Sequence, residues 1–316
     1  MFTKLVIAGS TGYVADAAIC AILASKDPVF DVTILTRRDS GRESPSRPGA
    51  KVIPVDYGKH DDLVHAVSGA DAILSFIAGT QSKLVDLLLL KAAREAGVRR
   101  IFPSEYTLDI LHPHAVSLLT EGGHWPEEIS PVATARKFLA LADEGGLTSF
   151  TTLIPAAFMD GWLEGNFGLI DPKNHKVTAV DSGDRYFSGC SIPFLTAAIV
   201  AVLRMDEEKT KNKRIPITEV RATMNQIADV FEEITGTKFE RGLVTSQELV
   251  DQRNTNLQAG NPLVALFAMI QLAAFDGIGA GDLKEGLGFD GDGYLDVQRK
   301  SLKELSIEAL TKVETS

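Results

Sequence analysis

The feature that most constrains the fold is Val6-Ile7-Ala8-Gly9-Ser10-Thr11-Gly12-Tyr13-Val14-Ala15, where an apolar run passes through a glycine turn straight into a helical pattern. Gly9 permits the tight turn and Gly12 lets backbone approach a ligand closely. The helix then offers unpaired N–H groups and the positive end of its dipole. The small Ala15 stands where a third glycine would let helix and strand pack together. Glycines spaced this way also occur in ordinary α/β turns. The strand before, the helix after and a second strand ending in basic residues favour a cradle for a dinucleotide pyrophosphate, with Gly9, Thr11, Gly12, Tyr13 and Val14 against it.

That second strand pattern, Asp31 to Thr36, closes on Arg37-Arg38. Dinucleotide folds place there either an acid for the ribose hydroxyls or cations for a 2′-phosphate, and the planar guanidinium fork suits a phosphate. No acid occupies the strand end and Asp39 follows too late, so the expected cofactor is NADPH rather than NADH. Arg38 to Gly49, crowded with Ser, Arg, Gly and Pro, reads as a mobile loop beside that phosphate.

Strand patterns at Lys4 to Ala8, Asp31 to Thr36, Lys51 to Asp56, Ala72 to Ile77, Arg100 to Pro103 and Ser149 to Ile154 alternate with helical ones at Thr11 to Ser25, His60 to Ser68, Thr80 to Ala96 and Pro131 to Glu144. Such alternation predicts an α/β fold, a doubly wound parallel Rossmann-type sheet. After Pro155 the elements shorten: a strand pair around Lys176 to Ser188, a helix over Ile192 to Arg204, a strand at Arg214 to Thr218 and a helix over Thr223 to Gly236. We therefore expect an NADP(H)-binding domain over residues 1–154. Residues 155–316 form a smaller substrate-covering region interleaved with the sheet edge, where ligands of open α/β folds bind.

Composition removes several functions. A net charge of -10 argues against a nucleic-acid surface, which needs clustered Lys and Arg. The longest apolar stretch, Pro262 to Phe275, is too short to span a bilayer and is interrupted by Gln271, so it reads as a buried helix or a pocket wall. With two distant cysteines, Cys20 and Cys190, and no secretory signal pattern, the expected setting is the reducing cytoplasm. His112 and His114 lack acidic or cysteine partners at ligand spacing, so no metal is expected.

The glycine turn, Arg37-Arg38, Gln81, the run Glu95-Ala96-Gly97-Val98-Arg99-Arg100-Ile101-Phe102-Pro103-Ser104-Glu105-Tyr106 and Asp109 together resemble the NmrA-like, isoflavone-reductase-like branch of the atypical short-chain dehydrogenases. Asn225 to Lys238 is similar to a later helix of that family, and the likeness thins after about Leu249. The resemblance implies NADPH binding and, commonly, reduction of aromatic or conjugated small molecules, with a minority of members sensing cofactor without chemistry. It adds Asp56, Ile77, Ala78, Gln81, Pro155 and Phe158 to the expected cofactor contacts.

The departures bear on mechanism. Family reductases carry a lysine about six residues before an aromatic-Leu pair, here Phe138-Leu139. Val132 falls at that place, and no lysine lies between Glu105 and Lys137. Lys137, five positions on, points roughly opposite to Val132 on a helix and reads as a surface residue. Two replacements for the proton donor stand out: Tyr106, where the family usually has phenylalanine, and His124 in Gly122-Gly123-His124-Trp125-Pro126. Either is also compatible with plain packing or solvent exposure. Ala157 stands where members often have asparagine or glycine, and Phe194 where they often have an acid. Val132, Ala157, Met159, Trp162 and Phe167 thus suit a hydrophobic or aromatic ligand.

Three functions remain open at this level. The favoured one is an NADPH-dependent reductase of a hydrophobic aromatic or conjugated carbonyl, or enone, in secondary metabolism. The others are a non-catalytic NADP(H) sensor with a protein partner, and a dehydratase, isomerase or cyclase reusing the same pocket.

Overall fold

Runs such as Ala72–Ser75 and Ser149–Ile154 bury every side chain, and only a sheet covered on both faces accommodates that. In the computed structural model, which describes residues 1–38, 47–79, 82–120, 130–275, 280–284 and 295–315, these runs are central strands. In chain order come β1 (Lys4–Ala8), α1 (Tyr13–Ala24), β2 (Asp31–Arg37), β3 (Ala50–Val55), α2 (His60–Val67), β4 (Ala72–Ser75), α3 (Ser82–Ala96) and β5 (Arg100–Phe102). Then follow α4 (Pro113–Thr120), α5 (Pro131–Glu144), β6 (Ser149–Ile154), β7 (Ala157–Phe158), α6 (Met159–Leu163), β8 (Ile170–Asp171), β9 (Lys176–Val180) and β10 (Phe187–Cys190). The chain continues through α7 (Ile192–Arg204), α8 (Glu207–Thr210), β11 (Lys213–Pro216), β12 (Val220–Ala222), α9 (Met224–Thr235) and β13 (Glu240–Val244). Three helices close it: α10 (Ser246–Gln258), α11 (Pro262–Phe275) and α12 (Leu302–Thr315).

The main sheet has seven strands in the order β11-β6-β5-β4-β1-β2-β3. From β3 to β6 all neighbours are parallel, with β1 between β2 and β4. This is the doubly wound Rossmann order, which reverses beside β1 and puts ligands at the carboxyl ends of β1 and β4. Helix boundaries follow local chemistry. Ser130 caps α5 by accepting from Ala133 N at 3.1 Å with Pro131 next in line, and Thr223 with Gln226 forms a capping box at α9, which stops at left-handed Gly236.

The chain divides into two compact units, the first Met1–Tyr106, Pro126–Leu153 and Thr196–Ile215, the second Thr107–Trp125, Ile154–Leu195 and Pro216–Ser316. The first has its core where Val6, Leu35, Ile73, Leu89, Ile101, Phe138 and Phe150 meet. Its far side is tied together by Arg100, which is 1 % exposed. That guanidinium donates to Ser149 Oγ at 2.7 Å, Thr151 Oγ1 at 2.7 Å, Thr210 Oγ1 at 2.8 Å and the Glu207 carbonyl at 2.9 Å. Burial lowers its pKa to about 10.

The second unit holds two small sheets, β12-β10-β7 and β13-β9-β8, around a core including Trp162, Phe187, Phe231 and Phe275. Here the sequence misleads. The strands expected to pair around Lys176 to Ser188 lie in different sheets, β9 between β8 and β13 and β10 between β7 and β12. Their spacing suited a hairpin, but pairing with later strands prevails. The Pro262 to Phe275 run is a helix, α11, with Ala265, Met269, Leu272 and Phe275 buried and Val264 and Phe267 exposed.

Candidate functional site

The first unit presents the expected turn between β1 and α1. Gly9 sits at φ +88°, and a Cβ there would lie 3.0 Å from the Phe76 carbonyl carbon and oxygen, so both conformation and space demand glycine. Gly12 is the N-cap of α1, and no side chain caps that helix. A Cβ on Gly12 would meet nothing nearer than Ala15 Cβ at 3.9 Å, which leaves the approach to the helix start open. Thr11 and Tyr13 are exposed, Val14 half-buried and Ala15 buried in the contact expected of a third glycine. A helix start without a side-chain cap, beside a turn only glycine can make, fits a phosphate group.

Sequence reasoning missed one cation. Arg47 Nη2 reaches the Ser10 carbonyl at 3.4 Å and pairs with the Asp16 carboxylate in the first turn of α1. Its signal was hidden in a loop whose register no periodicity fixes. The two strand-end arginines differ. Arg38 is held by Asp62 Oδ2 at 2.9 Å and by the Pro54 carbonyl at 3.4 Å, whereas Arg37 makes no hydrogen bond or ion pair among the described residues. Among the described residues, Arg37 is therefore the strand-end guanidinium whose fork makes no hydrogen bond or ion pair. Asp56, beyond β3, accepts from Gly58 N at 2.9 Å and stands 3.9 Å from Lys59 Nζ.

At the end of β4, Phe76 N donates to the Ala8 carbonyl at 2.7 Å, Ile77 is half-buried, and Ala78 is exposed before left-handed Gly79. Gln81 and His124 lie outside the described residues.

The turn after β5 is built on charged and polar groups from α3. Asp86, fully buried, accepts from Ser104 N at 3.0 Å, and Lys83 Nζ donates to the Ser104 carbonyl. Ser104 Oγ in turn donates to the Ile77 carbonyl at 2.8 Å, and Glu105 pairs with Arg214 Nη2 at 2.9 Å. The Tyr106 ring stacks on Phe76 with centroids 5.1 Å apart, and its hydroxyl is buried without a hydrogen-bond partner among the described residues. Burial, then the nearby Asp86 charge, pushes the phenol pKa well above its ordinary value, so the group stays protonated. Val132 is buried on α5, and Lys137 is exposed.

In the second unit the residues expected near a ligand fall into two kinds. Met159 and Trp162 are core side chains, with Trp162 edge-on to Phe275 at 4.7 Å and to Phe167 at 5.3 Å. Pro155 and Ala157 are buried, while Phe158 and Phe167 are half-buried. Between them Ala156 adopts φ +55°, a left-handed conformation disfavoured for an L-residue. Packing is close enough that a Cβ on Gly161 would fall 2.2 Å from the Phe167 ring.

Phe194 is buried beneath the Arg299 guanidinium, as a packing residue would be. The acidic function at the start of α7 comes from elsewhere: Asp160 Oδ2 accepts from Ile192 N at 2.5 Å and Glu219 Oε2 from Ser191 N at 2.7 Å. Burial raises the Asp160 pKa against the opposing pull of the Ile192 N–H. Among the described residues no three His, Cys, Asp or Glu side chains gather as a metal site, and no helix is long and apolar enough to cross a membrane.

Comparison with known proteins agrees with this geometry. Residues 1–118 match the model of the NmrA-like family. The chain is 24% identical over 266 residues to the bifunctional pinoresinol-lariciresinol reductase 1 of Linum usitatissimum, covering 78% of this chain and 80% of that protein. It is 22% identical over 290 residues to the isoflavone reductase of Cicer arietinum, covering 85% and 87%. A solved structure described as AtPrR2 with NADP+ and (+)pinoresinol superposes with a TM-score of 0.69 at 21% identity, over 97% of this chain and 99% of that one. The resemblance drawn from the glycine turn and the Pro103-Ser104-Glu105-Tyr106 run is thus supported by the NmrA-like family match over residues 1–118 and by relatives that include an isoflavone reductase.

Proposed function

We propose that the protein is an NADPH-dependent reductase of a hydrophobic aromatic or conjugated carbonyl compound or enone, working in the cytoplasm. The observation that carries this reading is the β1–α1 turn, where Gly9 is fixed against the Phe76 backbone and α1 begins without a side-chain cap. Gly9, Thr11, Gly12, Tyr13 and Val14 hold the pyrophosphate, and Arg37 with Arg38 and Arg47 binds the 2′-phosphate. Asp56, Ile77, Ala78, Gln81, Pro155 and Phe158 complete the contacts. When bound, NADPH supplies a hydride. AtPrR2, described with NADP+, supports the choice of cofactor.

The substrate class rests on apolar chemistry. Buried Val132 replaces a lysine, Ala157 offers no hydrogen bond, and Phe158 and Phe167 are half-buried aromatic residues of the second unit. Phe158 and Phe167, with Met159 and Trp162 of the same unit, suit an aromatic substrate. The relatives named for pinoresinol and isoflavone support that class. Tyr106 supplies the proton, its phenol kept neutral by burial until substrate arrives; His124 is the second donor. Both cysteines are free thiols, in keeping with a reducing compartment.

One observation favours a second reading, cofactor sensing without turnover: buried Val132 provides no proton and no charge. Calorimetric titration with NADPH, NADP+ and NADH, followed by NADPH absorbance with a panel of aromatic enones and aldehydes, separates the two. Binding with consumption is the expected result. Binding without consumption replaces the reductase by the sensor, and no binding overturns both.

A further inference from the structure

Ser104, in the turn after β5, has its N–H, its carbonyl and its hydroxyl all bound to other elements. Asp86 Oδ2 accepts from Ser104 N at 3.0 Å and Lys83 Nζ donates to the Ser104 carbonyl, so one turn of α3 clasps the residue on both sides of its Cα. Lys83 and Asp86 are both buried and share one face of the helix. Taking two charged side chains out of water costs free energy, and well-packed apolar residues in such places commonly leave a fold as stable or more so. What the two charges supply is a fixed place for one residue, and its third bond shows where that place leads.

Ser104 Oγ donates to the Ile77 carbonyl at 2.8 Å, from the β5 turn across to the end of β4. The β4 end is pinned on its other side as well. Phe76 N donates to the Ala8 carbonyl at 2.7 Å, and a Cβ on Gly9 would lie 3.0 Å from the Phe76 carbonyl carbon and 3.1 Å from Ile77 N. A second tie runs alongside the Ser104 bond, where the Phe76 and Tyr106 rings stack at 5.1 Å with 16° between their planes. A continuous path of contacts therefore joins the glycine turn, the β4 end, Ser104 and Tyr106, all within the first unit.

We propose that Ser104 is a positioning residue for the reduction: clasped by Lys83 and Asp86, its hydroxyl holds the cofactor-contacting Ile77 segment at a set separation from Tyr106. The inference rests on the reductase reading and on Tyr106 as proton donor. Hydride and proton must reach one substrate in one geometry, with reacting atoms about 3–3.5 Å apart. Ile77 and Tyr106 stand on different loops, and loops hold such tolerances only when other groups brace them. The Ser104 hydroxyl registers one loop against the other, and α3 keeps that hydroxyl in place.

The test uses the full chain with Ser104→Ala, Ser104→Thr, Lys83→Met and the double variant of Ser104→Ala with Lys83→Met. Hydrogen exchange on the free protein, read by mass spectrometry over peptides containing 76–79 and 104–107, needs neither cofactor nor turnover. Ser104→Ala should speed exchange on the order of tenfold in both segments while leaving β1 and β2 unchanged. Faster exchange in 104–107 alone, or in neither segment, overturns the proposal. In parallel, kcat, KM and the isotope effect from NADPH deuterated at the transferred position are measured with an aromatic enone. Ser104→Ala should lower kcat on the order of 10- to 100-fold at unchanged KM and raise the isotope effect. A purely structural role would instead lower the active fraction and leave the isotope effect where it was, which overturns the proposal. Ser104→Thr keeps the hydroxyl and should recover most of the rate. The double variant should be little slower than the slower single one, because both changes break one unit. Additive losses, or Ser104→Thr as slow as Ser104→Ala, overturn the proposal. Absence of any NADPH consumption by the wild type overturns the reductase reading instead, and the exchange result still decides whether Ser104 joins the two loops.

Discussion

Two helix starts in this protein face the same physical problem and solve it oppositely. At α1 the N-cap is Gly12, which has no side chain to accept from the first-turn N–H groups. At α7 the first N–H groups meet carboxylates brought from far along the chain, Asp160 on Ile192 N and Glu219 on Ser191 N. Every helix leaves four N–H groups unpaired at its start, and its dipole favours negative charge there. One start is filled by the protein's own acids; the other carries no side-chain cap, as the proposed phosphate site requires. Knowing which is which requires seeing what fills it, since both segments read equally well as helices.

The largest effect expected from that contrast is at the filled start. Glu219 accepts from both Ser191 N and Lys300 N, so Glu219→Ala removes two charge-assisted bonds and should cost about 3–6 kcal/mol of stability, at about 1.5–3 each. Urea unfolding measures it, and NADPH affinity should be untouched in the folded fraction. A loss below 1 kcal/mol on this scale would make α7 no better served by its acids than α1 is by glycine.

Asp86 gives the next effect, through pH. Its folded pKa of about 6 lies above the unfolded carboxylate value near 3.9, so the folded state binds the proton more tightly. Stability from this group is full below pH ~4 and is lost as pH rises through about 6. Asp86→Asn, which stays neutral, should therefore gain up to about 3 kcal/mol on the wild type between pH 4 and 7, taking 1.36 kcal/mol per pKa unit. Parallel stability curves for the two proteins would show that the carboxyl titrates normally.

At the open start, Arg37→Ala should weaken NADPH by about 1.5–3 kcal/mol while leaving NADH nearly unchanged, because only the former carries the 2′-phosphate. Arg38→Ala should do less, since Asp62 already holds Arg38. Calorimetry on the pair decides it, and the reverse ranking would mean that Arg38 leaves Asp62 for the phosphate. Smallest of all is Gly12→Ser, which gives α1 the side-chain cap it lacks. Stability should rise by a few tenths of a kcal/mol while NADPH binding weakens, a trade visible only if the start is reserved for an anion.

Much of this was legible because it is coded locally. The bounds of β6, α5 and α7 follow from hydrophobic period, Ser130-Pro131 and flanking glycine, and the β1–α1 turn from two glycines three apart. What sequence reading missed is set by partners far along the chain. Asp160 and Glu219 serve one helix start from opposite sides of it, Arg47 returns to Ser10 and Asp16 across a loop, and the clasp of Lys83 and Asp86 closes on Ser104 eighteen residues beyond Asp86. β9 and β10 looked like a hairpin because only their separation was visible, not the later strands that claim them.

The Arg100 hub carries a consequence for the order in which the protein is made. Its guanidinium needs Ser149 and Thr151 on one side and Glu207 and Thr210 on the other, and the last two leave the ribosome about a hundred residues after Arg100 itself. Until they emerge, β6 lacks its neighbour β11 and a buried cation lacks half its acceptors. The nucleotide-binding half therefore cannot finish folding as an N-terminal piece during synthesis. It stays open while residues 154–195 are translated, and a nascent chain stalled before Glu207 should remain protease-sensitive at β6, whatever its cofactor supply.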